Sequence, residues 1–555
     1  MTAFDRATSL RRLADEQFDV LVIGGGITGA GVALDAASRG LRTALVERDD
    51  FSSGTSSKSS KLVHGGLRYL QNGDVRLVYE ALHERQRLRK NAPHLVKLLP
   101  FLIPILGKGG VINPKVARAL GSAMWMYDLT GGARIGKLHK RLKKHQVLEY
   151  MPTLPADLLA GGYLYYDAQA DDSRLTLTVL RTAALRYDAV VANGVTVSGI
   201  TKGVDGRANG AAVTVDGKTF DIRAARVVNA AGVWSDDVRA LDEGTHPDSI
   251  RPAKGIHITV PWSKVRNTIA VVVPVPKDKR SVFVVPWGDL TYIGTTDTDY
   301  DGPLDDPQCT ADDVDYLLRA INHSMKDGAL TTDDIVGTWA GLRPLVKAAS
   351  SGRTADLSRR HSVRRSDSGV VSVTGGKLTT YREMAQDTVD AIVDSLGSAA
   401  PAGAKRSRTK RLPLVGSEGY KAIAASAGSD PLLQHLVDRY GDEAPTVAAL
   451  VEHDPSLGES LVPGLPYVRA EAVHAARHEM VRSVDDVLAR RTRARLLARD
   501  ATAAVADDVA ALIAPELGWS QDEAAASAAA YRAIIEHERT APALPETALD
   551  ASLGR

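Results

Sequence analysis

Residues 19–47 read DVLVIGGGITGAGVALDAASRGLRTALVE, and no other stretch constrains the fold as tightly. An apolar run (19–23) leads into Gly24, Gly26 and Gly29 at GxGxxG spacing. A small-residue helix follows, then a second apolar run (43–46) that ends in Glu47. Gly24 permits a tight turn, Gly26 lets the backbone approach a pyrophosphate, and Gly29 lets helix and strand pack closely. The helix N-terminus offers N–H groups and a positive dipole end to phosphates. Glu47 suits hydrogen bonds from ribose hydroxyls and disfavours a phosphorylated ribose. The glycines alone are a weak signal. In strand–turn–helix–strand–Glu order they are a strong one, which FAD and NAD both satisfy.

At 555 residues the chain has room for two or three domains. Its 44% hydrophobic and 25% charged content is that of an ordinary globular protein. A net charge of +2 implies no nucleic-acid partner. The single cysteine, Cys309, excludes an internal disulfide and fits a reducing cytoplasmic setting. Its polar surroundings, GPLDDPQCTADD, predict a surface position. The N-terminal residues show no secretory h-region, and no apolar stretch is long enough to span a bilayer.

The predicted architecture is an α/β dinucleotide-binding, Rossmann-like domain interleaved with an antiparallel-sheet substrate domain, followed by an all-α domain. The nucleotide domain takes about 15–75, 155–235 and 335–400; the substrate domain takes about 76–154 and 236–334. Residues 401–413 (PAGAKRSRTKRLP) read as a basic linker, 414–538 as helices, and 539–555 as a disordered tail. Asp-Gly pairs at Asp205 and Asp216 mark hairpins between alternating strands.

Four further segments carry candidate chemistry. In TSSKSSKLVHGGLRYL, the small residues and hydroxyls from Thr55 to Ser60, Ser57 and Ser59 among them, suit a loop lying against a cofactor, with Lys61, His64 and Arg68 close behind. A solvated polar loop is the plainer alternative. RVVNAAGVWSD ends a buried strand at Ala231 and Gly232, a second place for close backbone approach. GLRPL places Arg343 between apolar neighbours, with Arg359 shortly after. Such an arginine makes either a structural ion pair or half of a phosphate clamp. VTGGKLTTYRE sets Gly375, Gly376 and Lys377 before a helix, where N–H groups and a lysine would stabilise negative charge on a reduced flavin. His257, on an apolar strand, reads by itself as a core residue. His474 and His478 stand at i, i+4 but lack a third ligand, so a charged helix face is expected and no metal site.

Taken together and in order, IGGGITGAGVALDAASRGL, TSSKSSKLVHGGLRYL, NAAGVW, KGIHITV, VVPWGDLTYIGTTDTDY, GLRPL and GGKLTTYR resemble the bacterial FAD-dependent, respiratory glycerol-3-phosphate dehydrogenases. The resemblance covers about 20–535. It implies FAD as cofactor and oxidation of sn-glycerol 3-phosphate at C2 to dihydroxyacetone phosphate, with hydride passing to flavin N5 and electrons to a membrane quinone. It also implies a peripheral location on the inner face of the cytoplasmic membrane and, in many members, a homodimer. An oxidase that reduces O2 to peroxide is the alternative, since the two share most of these motifs.

Carried over position by position, the resemblance places substrate contacts at Arg68, Tyr69, His257, Arg343 and Lys377. Arg359 lies in SGRTADLSRRHSV, which departs from the family pattern, so Arg353 and Arg360 compete with it. Arg343, Arg359 and Arg68 would bind the phosphate. The base that takes the C2 hydroxyl proton stays open between His257, His64 and Lys377. The cofactor contacts implied are Gly24, Gly26, Gly29, Glu47, Thr55, Ser57, Ser59, Val195, Ala231, Gly232, Gly376, Lys377, Leu378 and Thr379. For membrane docking, the Pro-broken apolar stretch 98–126 and the basic run 137–145 suit an interfacial anchor, and a buried helix beside a solvated basic face suits them equally.

Overall fold

The computed structural model describes residues 4–66, 75–107, 121–122, 124–128, 136–276, 278, 280–326, 329–347 and 361–547. Two sheets organise the first 400 residues. In the first, the strands Gln17–Ile23, Thr43–Val46, Val190–Ala192, Lys218–Asn229 and Val371–Thr374 run parallel, with Gln17–Ile23 at the centre. Strand Lys218–Asn229 plays two parts. Its first half closes a hairpin with Ala208–Val215 across the Asp216–Gly217 turn; its second half pairs in parallel with Gln17–Ile23.

The helix Ile27–Ser38 is buried along nearly its whole length. Its alanines and glycines leave no side chain to hold neighbours away. A Cβ at Gly31 would lie 2.6 Å from the Tyr381 ring, and one at Gly29 only 1.9 Å from the Gly24 carbonyl oxygen. Helices Asp172–Tyr187 and Tyr381–Leu396 therefore pack directly against it, in one apolar core with the parallel strands.

The second sheet is largely antiparallel. Its strands Ile250–Pro261, Leu290–Gly294, Ser281–Trp287 and Ala270–Pro274 lie side by side in that order and continue through Lys97–Leu106 to Leu159–Gln169. Gly337–Val346 pairs with Ile250–Pro261 over ten residues and sets Trp339 opposite His257. Beyond residue 414 the described chain is helical, from Tyr420–Ser426 to Gln521–Thr540.

Five expectations need correction. Residues 98–106 are not an interfacial anchor: they form a strand of the second sheet, with Leu99, Phe101, Leu102 and Ile105 buried. Cys309 is buried, not on the surface. Most of the polar letters around it face outward, but Pro307, Asp313 and the thiol turn in, and burial pushes the thiol pKa up. The basic segment 401–413 is packed against the first domain. Arg39 donates to the Ala404 carbonyl at 3.2 Å, Ser407 reaches Asp35, and Leu412 enters the core. The tail is ordered as far as 547, because Leu544 is buried and Asp500 accepts from the Thr547 amide at 2.8 Å; 548–555 lie outside the described residues. The stretch around His474 is a charged surface only in part: Arg477, His478 and Arg482 are exposed, whereas His474, Glu479, Arg491 and Arg493 are buried.

Candidate active site

A cavity of about 320 Å3 opens where the first sheet's glycine turn meets the edge of the second sheet. Gly24 and Gly26 line it, with Glu47, Thr55, Ser59, Val195, Ala231, Gly232, Gly376, Lys377 and Leu378. Gly24 and Gly232 hold the left-handed backbone that only glycine adopts cheaply (φ +111° and +60°). Gly29 stands behind the wall, where its missing side chain brings helix against strand. Ser57 lines a neighbouring polar cavity instead, and Thr379 accepts a hydrogen bond from the His64 amide at 3.2 Å.

Glu47 closes the far end. Its carboxylate accepts from the Gly25 amide at 2.6 Å and the Asp49 amide at 2.9 Å. Burial pushes its pKa up to about 7, against these two bonds. Ser56, within the hydroxyl run 55–60, also lines the cavity, as do Trp234 and Pro344, which sequence reasoning did not single out. Ser56 Oγ accepts from the Ile27 amide at 2.8 Å, at the first turn of the buried helix. The hydroxyl string TSSKSS was its only signal.

The second sheet brings His257, Arg343 and Trp339 to one face, because 257, 343 and 339 occupy like-facing register positions. His257 is 2% exposed. Its Nε2 lies 2.8 Å from Ser60 Oγ, and its ring stacks on Trp339 at 4.6 Å and 9°. Burial holds its pKa well below the ordinary histidine value, and Lys61 and Arg343 push the same way. The ring is neutral at physiological pH. Its Nδ1 is buried and has no hydrogen-bond partner among the described residues. Arg343 donates to Asp297 at 3.2 Å, to Thr295 Oγ1 at 3.2 Å and to the Thr296 carbonyl at 3.1 Å.

One segment, 55–64, touches every wall. Thr55 Oγ1 donates to the Leu342 carbonyl at 2.5 Å, Ser56 meets the glycine-loop helix, Ser60 meets His257, and the His64 amide meets Thr379 beside Lys377. Arg68, Tyr69, Arg353, Arg359 and Arg360 lie outside the described residues.

Residues 19–382 match the FAD dependent oxidoreductase family, and residues 407–524 match the C-terminal domain of alpha-glycerophosphate oxidase. Glycerol-3-phosphate dehydrogenase 2 of Mycobacterium tuberculosis is 41% identical over 98% of this chain and 92% of its own. The chain belongs to the FAD-dependent glycerol-3-phosphate dehydrogenases.

The mouse mitochondrial glycerol-3-phosphate dehydrogenase is 38% identical over 91% of the chain and 71% of its own. A solved glycerol-3-phosphate dehydrogenase from Bacillus halodurans, complexed with FAD, superposes with a TM-score of 0.76 at 30% identity, over 96% of this chain and 97% of that one. L-alpha-glycerophosphate oxidase from Mycoplasma pneumoniae shares the fold at a TM-score of 0.53 and 17% identity, over 68% of this chain and 95% of that one. In this family FAD is the cofactor. The residues present fit it: left-handed glycines leave backbone-lined space at the turn, a helix N-terminus faces that space, and Glu47 offers an acceptor for ribose hydroxyls.

Protonating Glu47 removes that acceptor, so FAD should bind this dehydrogenase more weakly as pH falls through about 7. Glu47→Gln should weaken FAD binding about tenfold, the loss of roughly one charged hydrogen bond, and flatten the pH dependence. Titration of apoprotein with FAD at several pH values measures both. An unchanged, pH-dependent Kd in the variant contradicts the assignment.

Proposed function

We propose that the chain oxidises sn-glycerol 3-phosphate at C2 to dihydroxyacetone phosphate. What carries the reading is the arrangement on the face of the second sheet: a neutral, buried histidine and an arginine that share it, next to a cavity built for FAD. When bound, FAD supplies the hydride acceptor, at N5, and the relay of electrons to a membrane quinone. The first sheet holds the cofactor and the second the substrate. Arg343 binds the phosphate dianion, together with Arg68 and Arg359. A guanidinium already fixed by Thr295 and Asp297 loses little freedom in doing so.

His257 takes the C2 hydroxyl proton. With Nε2–H donating to Ser60 Oγ, its Nδ1 keeps a lone pair for the substrate hydroxyl. Lys377 lines the cofactor cavity and stabilises negative charge as it develops. Tyr69 and His64 complete the substrate side.

His257→Ala should slow flavin reduction by glycerol 3-phosphate roughly 10²–10⁴-fold, the usual contribution of a general base, with FAD content unchanged. Anaerobic rapid mixing measures it, and a rate and pH profile like the wild type's remove His257 from the role. The electron acceptor is read separately. Turnover should be faster with a quinone analogue than with O2, and stoichiometric peroxide from air-saturated buffer would favour the oxidase reading instead.

No described helix is long and apolar enough to cross a membrane. A docking surface remains after the correction at 98–106. Trp125 (56% exposed), Met126 and Leu138 face solvent beside exposed Lys137, Lys140, Arg141, Lys143 and Lys144, and the Trp125 ring contacts His139 at 5.0 Å. Apolar rings ringed by lysine suit the inner face of an anionic membrane. Vesicle flotation of the purified protein tests this. The wild type should float with anionic vesicles, and Lys143→Glu/Lys144→Glu should sediment. Equal flotation of the two removes this surface.

A further inference from the structure

Two non-glycine residues turn into the left-handed backbone region to reach the same pair of oxygens. Lys61 (φ +57°) donates from Nζ to the Ser57 carbonyl at 3.2 Å and to Asp172 Oδ1 at 3.1 Å. Arg493 (φ +71°) donates from Nη2 to the same carbonyl and, at 3.1 Å, to the same Oδ1. Both side chains are buried. Lys61 belongs to the segment against His257. Arg493 comes from the C-terminal helical region, two residues after a π-helical turn, Asp486–Arg491. L-residues avoid this backbone region, and π turns are uncommon; both persist where surrounding structure enforces them, often at functional sites.

The knot controls three consecutive residues. Asp172 Oδ2 accepts from the Ser59 amide at 3.0 Å and from Ser59 Oγ at 2.7 Å. The Ser59 carbonyl accepts from the Trp339 indole at 3.2 Å, and the Lys61 ammonium stands 4.7 Å from the centre of that indole, whose ring stacks on His257. Ser60 lies between. Its carbonyl accepts from the Tyr292 hydroxyl at 3.0 Å and its Oγ meets His257 Nε2. A neutral histidine holds one proton on two nitrogens, and with that proton on Nε2, directed at Ser60 Oγ, Nδ1 is the base.

We propose that Arg493 is a positioning residue for the oxidation: through Asp172 and the Ser57 carbonyl it holds Ser60 Oγ on His257, and so gives the C-terminal helical region a part in the chemistry. The proposal rests on the reading of His257 as the base. It goes beyond that reading by naming a control residue from another part of the chain, whose guanidinium touches neither His257 nor the cofactor cavity. A purely structural ion knot would change folding and FAD retention, but not the rate per bound flavin.

The test uses full-length holoenzyme carrying Arg493→Met, Arg493→Lys or Ser60→Ala, beside wild type and His257→Ala. Hydrogen exchange of the peptide spanning 55–66 should quicken in Arg493→Met at the Ser59 amide. Flavin reduction by glycerol 3-phosphate, per bound FAD, should fall about tenfold as the base loses its alignment, with the Kd for glycerol 3-phosphate within about twofold. The pH midpoint of that rate should move in the same direction as in Ser60→Ala. Arg493→Lys should fall between. The double variant Ser60→Ala/Arg493→Met should be no slower than the slower single, since both act along one path.

A wild-type rate and pH midpoint in Arg493→Met overturns the proposal. Should that variant not retain FAD, Arg493→Lys is judged by the same two readouts. The two readings fail differently: a wild-type His257→Ala profile removes the base assignment, whereas an impaired His257→Ala beside unimpaired Arg493 variants removes only the positioning role.

Discussion

One buried carboxylate joins the three parts of this molecule. Asp172 begins a helix that packs on the one after the glycine turn, accepts from Ser59 and Lys61 in the segment against His257, and pairs with Arg493 from the C-terminal helices. Its position at a helix N-terminus favours its charge. Two cations within hydrogen-bond reach make its burial tolerable. Leaving such a group without a partner costs about 3–5 kcal/mol, and each left-handed, non-glycine residue that serves it costs roughly 1–2 kcal/mol. The same burial that makes the knot expensive fixes the geometry above it. Burial also pushes Lys61 down to about 8.

The site divides its demands between the two sheets. On the parallel side the chain withholds side chains: glycines at 24 and 26 leave backbone along the cavity, Gly29 lets helix and strand close behind it, and the Glu47 carboxylate caps the strand end. On the antiparallel side it concentrates them, with His257, Trp339 and Arg343 on one face. Segment 55–64 is the seam. It has to be small and hydroxyl-rich, because it hydrogen-bonds to both sides within ten residues.

What could be read from the sequence was local. The glycine turn with Glu47, the Gly375–Lys377 turn and the hairpins at Asp205 and Asp216 each depend on residues within about 25 positions, so spacing alone exposes them. FAD over NAD, and the family, came from the order of longer motifs. Contacts made over long separations left no signal. Ser60 meets His257 across 197 positions and Arg493 meets Asp172 across 321. Ser60 and His257 each sit in a quoted motif, but neither motif names the other as partner, and Arg493 sits in none. Composition misled where tertiary burial decided. Residues 98–106 look like a membrane anchor because a strand buried in a large sheet is just as apolar. Cys309, His474 and Leu544 have polar or charged residues close by in the sequence, yet neighbouring elements cover all three.

The proposed oxidation needs the cofactor cavity and the face that carries His257 and Arg343 to act as one site. Anaerobic mixing of the purified yellow holoenzyme with stoichiometric sn-glycerol 3-phosphate tests it most directly, with glycerol as the control. Loss of the oxidised flavin spectrum with the phosphate ester, formation of one equivalent of dihydroxyacetone phosphate and no change with glycerol are the results expected. A flavin that stays oxidised in the presence of glycerol 3-phosphate, or bleaches equally well with glycerol, would contradict the account.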